Sequence, residues 1–159
     1  MVKNNLKSLL IHIIISFLSL IVFIIFHSSA VKWASEESAR RHHNFMMIIA
    51  LILICGSILF YYYLSGRFCS KENNILNNLF SVSITAIVGI ILWIIAFAIE
   101  PSGVGGQLLN FKLWVGYAAY NSYAMFLINE IRINNSYVLI VFSLVPTLVM
   151  YLGLKRKAE

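Results

Sequence analysis

The stretch SLLIHIIISFLSLIVFIIFHSSAV, residues 8–31, decides the fold because it runs for 24 residues without Asp, Glu, Lys or Arg. Crossing the roughly 30 Å hydrocarbon core of a bilayer takes about 20 apolar residues of helix. Its apolar residues do not alternate with polar ones, which favours a helix over a barrel strand. The stretch therefore predicts a transmembrane helix over about residues 6–30. A signal peptide is the alternative, although the apolar run is longer than the usual h-region.

Four further charge-free stretches follow: residues 42–66, 73–99, 113–129 and 133–154, which are 25, 27, 17 and 22 residues long. All but the 17-residue stretch are long enough to cross the hydrocarbon core. We therefore predict an all-α, polytopic membrane protein with one domain over residues 1–159. It forms a four-helix transmembrane bundle with spans at about 6–30, 45–64, 79–99 and 137–154. Hydrophobic residues make up 60% of the chain and charged residues 11%, which suits lipid as the solvent.

The cations predict which side of the membrane each loop faces, because inner loops are richer in Lys and Arg. With both termini cytoplasmic, four spans place seven cations inside and five outside. A fifth span at 113–129 would move residues 155–157 outside and invert that balance. The aromatic run 60–63 followed by Arg67 marks an inner surface. The sequence thus predicts a multi-pass protein of the cell membrane with both termini in the cytoplasm. The scattered cations give no face for nucleic acid.

The shortest stretch differs from the others in its aromatic residues. These recur at every third position: Phe111, Trp114, Tyr117, Tyr120, Tyr123 and Phe126. In an α-helix such a row winds around the cylinder instead of lining one face. Aromatic side chains on all sides favour a helix at the outer membrane interface. We predict an additional interfacial or re-entrant helix over about residues 111–128, with a fifth span as the alternative.

The first span carries its polar residues on one helical face. These are His12, Ser16, Ser19 and His27, at steps of four, three and eight. Such a stripe turns toward other helices or a wet cavity, and an ionisable group in a membrane marks a candidate functional site. His12 is therefore either a neutral imidazole hydrogen-bonded across the bundle or a site for a proton or a substrate.

A second candidate cluster lies on the outer side. It consists of Glu36, Glu37, His42, His43 and Glu100. Those residue types suit zinc, but their spacing matches no zinc motif. Intrachain haem ligation is excluded because only the first span holds histidines. We predict no metal and no cofactor.

The third and fourth spans carry packing signals. Ser81, Thr85 and Gly89 recur at every fourth position, the small-residue spacing that lets two membrane helices approach closely. Pro146 in the last span lacks an N–H group, so it frees a carbonyl and predicts a kink.

The residues exclude two kinds of membrane enzyme. The chain has no aspartate for paired-aspartate proteolysis, and it has no Cys-x-x-Cys for thiol oxidoreduction. Without a matched catalytic set, we expect a small non-catalytic module, an accessory or regulatory subunit or an immunity-type protein. Its partners are the lipid bilayer and another membrane protein or a second copy. Two alternatives stay open: a small oligomeric transporter or channel that uses the stripe of His12, Ser16 and Ser19, and an enzyme acting on lipid or lipoprotein with outer-face His and Glu.

Overall fold

The computed structural model describes residues 1–27, 35–72, 74–100, 112–131, 133 and 135–156, without the side chains of His27 and Phe126. The described residues form seven α-helices and a short 3₁₀ turn, with no strand among them, which confirms the all-α prediction. Three of these helices are long and apolar enough to cross a membrane: α1 (Val2–His27), α2 (Glu36–Phe68) and α7 (Ser136–Arg156). The other four are α3 (Ile75–Phe80), α4 (Ile84–Ile99), α5 (Lys112–Tyr120) and α6 (Met125–Ile131).

Helix α2 begins well before the predicted start of the second span at about residue 45. Its N-cap is Ser35, whose side chain accepts a hydrogen bond from the Ser38 N–H, while the Ser38 hydroxyl contacts the Ser35 N–H in return. This reciprocal capping box satisfies amides that have no partner within the helix. Glu36 and Glu37 in the first turn also suit the positive end of the helix dipole. The helix therefore extends through residues that the sequence assigned to an outer loop.

The predicted third span over 79–99 is interrupted. Turn residues 81–83 separate α3 from α4, which alone has only 16 residues. In this turn the N–H groups of Val82 and Ser83 bond to carbonyls three residues back, not four. We call residues 81–86 the helix break, because two further amides within it bond to side chains of other helices.

Side chains from α1 and α7 complete the hydrogen bonding of the helix break. The Ile84 N–H donates to Asn5 Oδ1 of α1 at 3.1 Å. The Ala86 N–H donates to Thr147 Oγ1 of α7, also at 3.1 Å. Irregular backbone inside a membrane bundle persists only where the surrounding protein satisfies it in this way. The stretch predicted as the third span is therefore divided between two helices, and its interruption depends on residues outside the stretch.

Met1 and Arg156 lie at the same end of the bundle, which we call the amino end. There the Met1 ammonium pairs with Glu72 at 2.8 Å, and the Arg156 guanidinium lies 5.8 Å from the centroid of the Tyr62 ring. At the opposite or far end, the rings of Phe26 and Phe45 pack 6.0 Å apart. The helices α1, α2 and α7 therefore run between the same two ends.

Residues 112–131 form two helices joined by a 3₁₀ turn at Ser122–Ala124, and we call this segment the α5–α6 hairpin. It begins at the far end, where the Leu113 N–H donates to Glu100 Oε2 at 3.1 Å. It also ends there, since Glu130 Oε2 lies 2.6 Å from His43 Nδ1 near the start of α2.

The tip of the α5–α6 hairpin lies within the bundle, because the Ser122 hydroxyl donates to the Ser16 carbonyl in the middle of α1. Trp114, Tyr117, Tyr123 and Ile128 are each at most 2% exposed. The single helix predicted over 111–128 is therefore wrong in its continuity. Asn121 and Ser122 favour a turn because their side chains compete with helical hydrogen bonds. Phe111 lies outside the described residues.

The bundle has an apolar exterior and a partly polar interior. Phe17, Ile52 and Leu59 are each more than 60% exposed, whereas Ser8, His12 and Thr85 are fully buried. A water-soluble protein rarely presents such a continuous apolar surface. The distribution fits a protein surrounded by lipid, whose helices associate through small and polar residues.

Candidate functional site

The polar stripe of the first span meets the α5–α6 hairpin in the middle of the bundle. His12, Ser16 and Ser19 are 0%, 5% and 3% exposed. His12 Nδ1 lies 2.8 Å from the Tyr61 hydroxyl, and the His12 and Tyr120 rings are 4.1 Å apart between centroids. The stripe therefore contacts packed side chains from α2 and α5. The side chain of His27, the fourth residue of the stripe, lies outside the description.

Ser16 ties α1 to the tip of the hairpin through two hydrogen bonds. Its hydroxyl donates to the Tyr120 carbonyl at 2.6 Å, and its own carbonyl accepts from the Ser122 hydroxyl. The Tyr120 carbonyl is one of the last four of α5, which have no partner within their own helix. Ser16, which would line a polar path in the transporter alternative, thus bonds to the end of a helix.

The tyrosines of the hairpin dock it onto the neighbouring helices. The Tyr120 hydroxyl donates to the Thr85 carbonyl of α4 at 2.9 Å. Tyr117 and Tyr123 each donate to a backbone carbonyl of α7. The row spaced at every third residue thus reaches two helices at once, which explains its winding pattern better than a membrane interface does.

The acceptor of Tyr123 is the carbonyl that the proline of α7 leaves free. In a regular helix the Phe142 carbonyl would accept from the N–H of residue 146, but Pro146 has none. The Tyr123 hydroxyl donates to the Phe142 carbonyl instead. The chain thus compensates a defect in one helix with a side chain from the hairpin.

The predicted packing face of the third span is divided between two neighbours. Thr85 Oγ1 lies 2.8 Å from Thr147 Oγ1 of α7, and a Cβ added to Gly89 would lie 2.7 Å from the Ser143 Cβ. Ser81 instead lies 3.4 Å from the Asn4 amide of α1, measured from Oγ to Nδ2. Because the turn at 81–83 separates Ser81 from α4, the two parts of the face lie against different helices.

The outer-face residues take part in separate interactions. His43 pairs with Glu130, and Glu37 lies 3.9 Å from Arg41 one turn along α2. The Glu100 carboxylate accepts the first amide hydrogen bond of α5. Glu36 lies in the first turn of α2 and His42 is half-buried in the same helix. Among the described residues, no three His, Cys, Asp or Glu side chains are close enough to hold a metal ion.

Sequence reasoning missed Tyr61, Tyr120 and Ser122 as partners of the stripe. Tyr61 is fully buried, whereas Tyr63, from the same aromatic run, is 57% exposed. The run was interpreted as a set of interface anchors, and the hairpin tyrosines were interpreted in the same way. The only available signal was the spacing by three, which no single exposed helix face explains.

Chemically, the centre of the bundle is a hydrogen-bonded cluster of imidazole, hydroxyl and backbone carbonyl groups. Two buried atoms at its edge, His12 Nε2 and Asn121 Oδ1, make no hydrogen bond of ordinary length and geometry within the described residues. The contacts described above involve no carboxylate. No protein-family model, curated protein or solved structure matches this chain.

Proposed function

We propose that the chain is a small non-catalytic membrane module, an accessory or regulatory subunit or an immunity-type protein. It acts by contact with lipid and with another membrane protein or a second copy of itself. The main support is that its interior polar groups hold helices together: Tyr61 lies within hydrogen-bond distance of His12, and Ser16 donates to the Tyr120 carbonyl. Exposed apolar side chains then supply the contact surface.

The proposed membrane arrangement has four crossings. Helices α3 and α4 together supply the third crossing. Asn78 of α3 accepts a hydrogen bond from the Glu72 N–H at the amino end, and Trp93 Nε1 of α4 donates to the Ser136 carbonyl at the far end at 2.8 Å. Residues 75–99 cover roughly 36 Å at the helical rise of 1.5 Å per residue, enough for the hydrocarbon core. The α5–α6 hairpin then enters from the far side and returns to it.

The cations support a cytoplasmic amino end. Six described Lys and Arg residues belong to this end: Lys3, Lys7, Arg67, Lys71, Lys155 and Arg156. The inner side of a membrane protein attracts such an excess. Both termini are then cytoplasmic, and the membrane is the cell membrane.

Cysteine labelling tests this arrangement. In a chain carrying Cys55→Ala and Cys69→Ala, we expect a membrane-impermeant maleimide to label Lys112→Cys in intact cells, because that position lies at the far end. Lys155→Cys, at the amino end, is expected to react only after permeabilisation. Labelling of Lys155→Cys in intact cells would contradict the proposed topology.

A small transporter is the second candidate, because two interrupted helices meet beside His12. The Tyr120 side chain connects the hairpin tip to the helix break, since its ring packs on His12 and its hydroxyl bonds to the Thr85 carbonyl. Transporters commonly bind substrates where helices are discontinuous. His12 Nε2 and Asn121 Oδ1 offer an acceptor or donor for a proton or a small polar ligand there.

Proton and potassium flux in proteoliposomes separates the two functions. For a module, we expect no flux from the wild type or from His12→Ala, and migration in a complex larger than one chain in mild detergent. A transporter would show flux that His12→Ala abolishes and that His43→Ala, a far-end control, retains. A monomer with His12-dependent flux would overturn the module proposal.

A further inference from the structure

A groove of about 290 Å³ opens between α2 and α7 at the amino end. Its lining residues are Tyr62, Tyr63, Gly66, Arg67, Gly153 and Arg156. Two glycines let the helix backbones nearly touch at its floor, since a Cβ added to Gly66 would lie 2.9 Å from the Gly153 carbonyl oxygen. The groove is therefore a recess with an arginine contributed by each helix.

Aromatic contacts position both arginines. The Arg156 guanidinium lies over the Tyr62 ring, and Arg67 Nη1 lies 3.5 Å from the Tyr63 hydroxyl. Neither arginine forms an ion pair with a described residue. A guanidinium has five N–H donors in a planar fork that matches a phosphate group. Most of these donors are left over after the contacts with the tyrosines.

The surroundings of the groove favour an anion that also carries apolar chains. Glu72 is the only described acidic residue at this end, and it already pairs with the Met1 ammonium. About two helical turns before each arginine, toward the middle of the bundle, Leu59 of α2 is 68% exposed and Leu148 of α7 is 53% exposed. Positive charge thus borders directly on an apolar surface, as it does at the headgroup level of a bilayer.

We propose that this groove binds the phosphate of an anionic phospholipid, with the acyl chains lying along the exposed leucines of α2 and α7. The site rests on the membrane placement proposed above and identifies one of the lipid contacts of the module. Arg67 and Arg156 bind the phosphate oxygens, and the two tyrosines hold the guanidinium groups in place. The proposal requires neither a protein partner nor any transport activity.

Native mass spectrometry of the full chain tests the site with dioleoylphosphatidylglycerol and dioleoylphosphatidylcholine as probes. We expect the wild type to prefer phosphatidylglycerol, and Arg67→Gln with Arg156→Gln to weaken its binding about thirtyfold, as for the loss of two cations near a membrane surface. The matched control is Lys3→Gln with Lys71→Gln, which removes the same charge from exposed positions at the same end. The control is expected to keep the preference.

Three results would overturn the proposal. These are equal binding of the two lipids by the wild type, an equal loss in the control variant, or displacement of phosphatidylglycerol by excess inorganic phosphate, which would identify a soluble anion as the ligand. If the double variant does not elute as a folded protein, Arg67→Gln and Arg156→Gln are measured singly, each with an expected loss of about fivefold. The membrane arrangement is tested separately, by cysteine labelling. A negative result for lipid binding would therefore not contradict the proposed topology.

Discussion

Gly153→Ala is expected to lower the free energy of unfolding by about 3 kcal/mol or more, the upper range for overpacking a well-packed site. A Cβ at this position would lie 2.2 Å from both the Tyr62 carbonyl oxygen and Ser65 Oγ. The first of these atoms belongs to the backbone of α2, so no side-chain rotation can relieve the contact. Unfolding in detergent mixtures of increasing denaturing strength, followed by circular dichroism, measures the loss.

Gly56→Ala is the matched control for this prediction. Gly56 lies within α2, and an added Cβ would have nothing within 4 Å. Alanine is the better helix former, so this change is expected to raise the free energy of unfolding by roughly 0.5–1 kcal/mol. If both glycine variants had the same stability, the close approach of α2 and α7 would not be what holds these helices together.

Tyr123→Phe is expected to lower the free energy of unfolding by about 1–3 kcal/mol, because it leaves a buried carbonyl without a donor. That carbonyl belongs to Phe142, which Pro146 deprives of its helical partner. The phenylalanine ring keeps the volume and the apolar contacts of the tyrosine. The same denaturation experiment therefore reports mainly the lost hydrogen bond.

The contribution of the hydrogen bond from Tyr123 can be isolated by measuring Tyr123→Phe a second time in a chain that also carries Pro146→Ala. Alanine supplies the missing N–H, so the Phe142 carbonyl regains a partner within α7. In this background Tyr123→Phe is expected to cost about 1 kcal/mol less than in the wild type, a coupling typical of residues in one hydrogen-bond network. Equal costs in the two backgrounds would show that Tyr123 does not compensate for the proline.

The sequence correctly predicted the long apolar helices, whose formation depends on the length and hydropathy of a single stretch. The charge-free stretches at 8–31 and 133–154 identify α1 and α7, because length and hydropathy suffice for a helix in lipid. Pro146 correctly indicated a freed carbonyl, since the missing N–H is a property of the residue itself. Helix α2 extends beyond the predicted second span, and its capping serine and the two glutamates that follow it are visible in the sequence.

The two interruptions could not be predicted in full because they depend in part on residues that are distant in sequence. The helix break depends on Asn5 and Thr147, which supply acceptors from the first and last helices. The hairpin row depends on carbonyls of α4 and α7 that accept from Tyr120 and Tyr123. Nothing within either stretch identifies these partners. Tyr61 could not be identified as the partner of His12 for the same reason, because the two residues are far apart in sequence.

The two side-chain hydrogen bonds of the helix break can form only in a fixed order during synthesis of the chain. Asn5 leaves the ribosome early and can meet the Ile84 amide as soon as α4 is made. The Ala86 amide must wait for Thr147, which is synthesised near the end. Until then this amide lacks the side-chain acceptor that it has in the folded bundle. The hydrogen bonding of the helix break is therefore completed only when the last helix has been made.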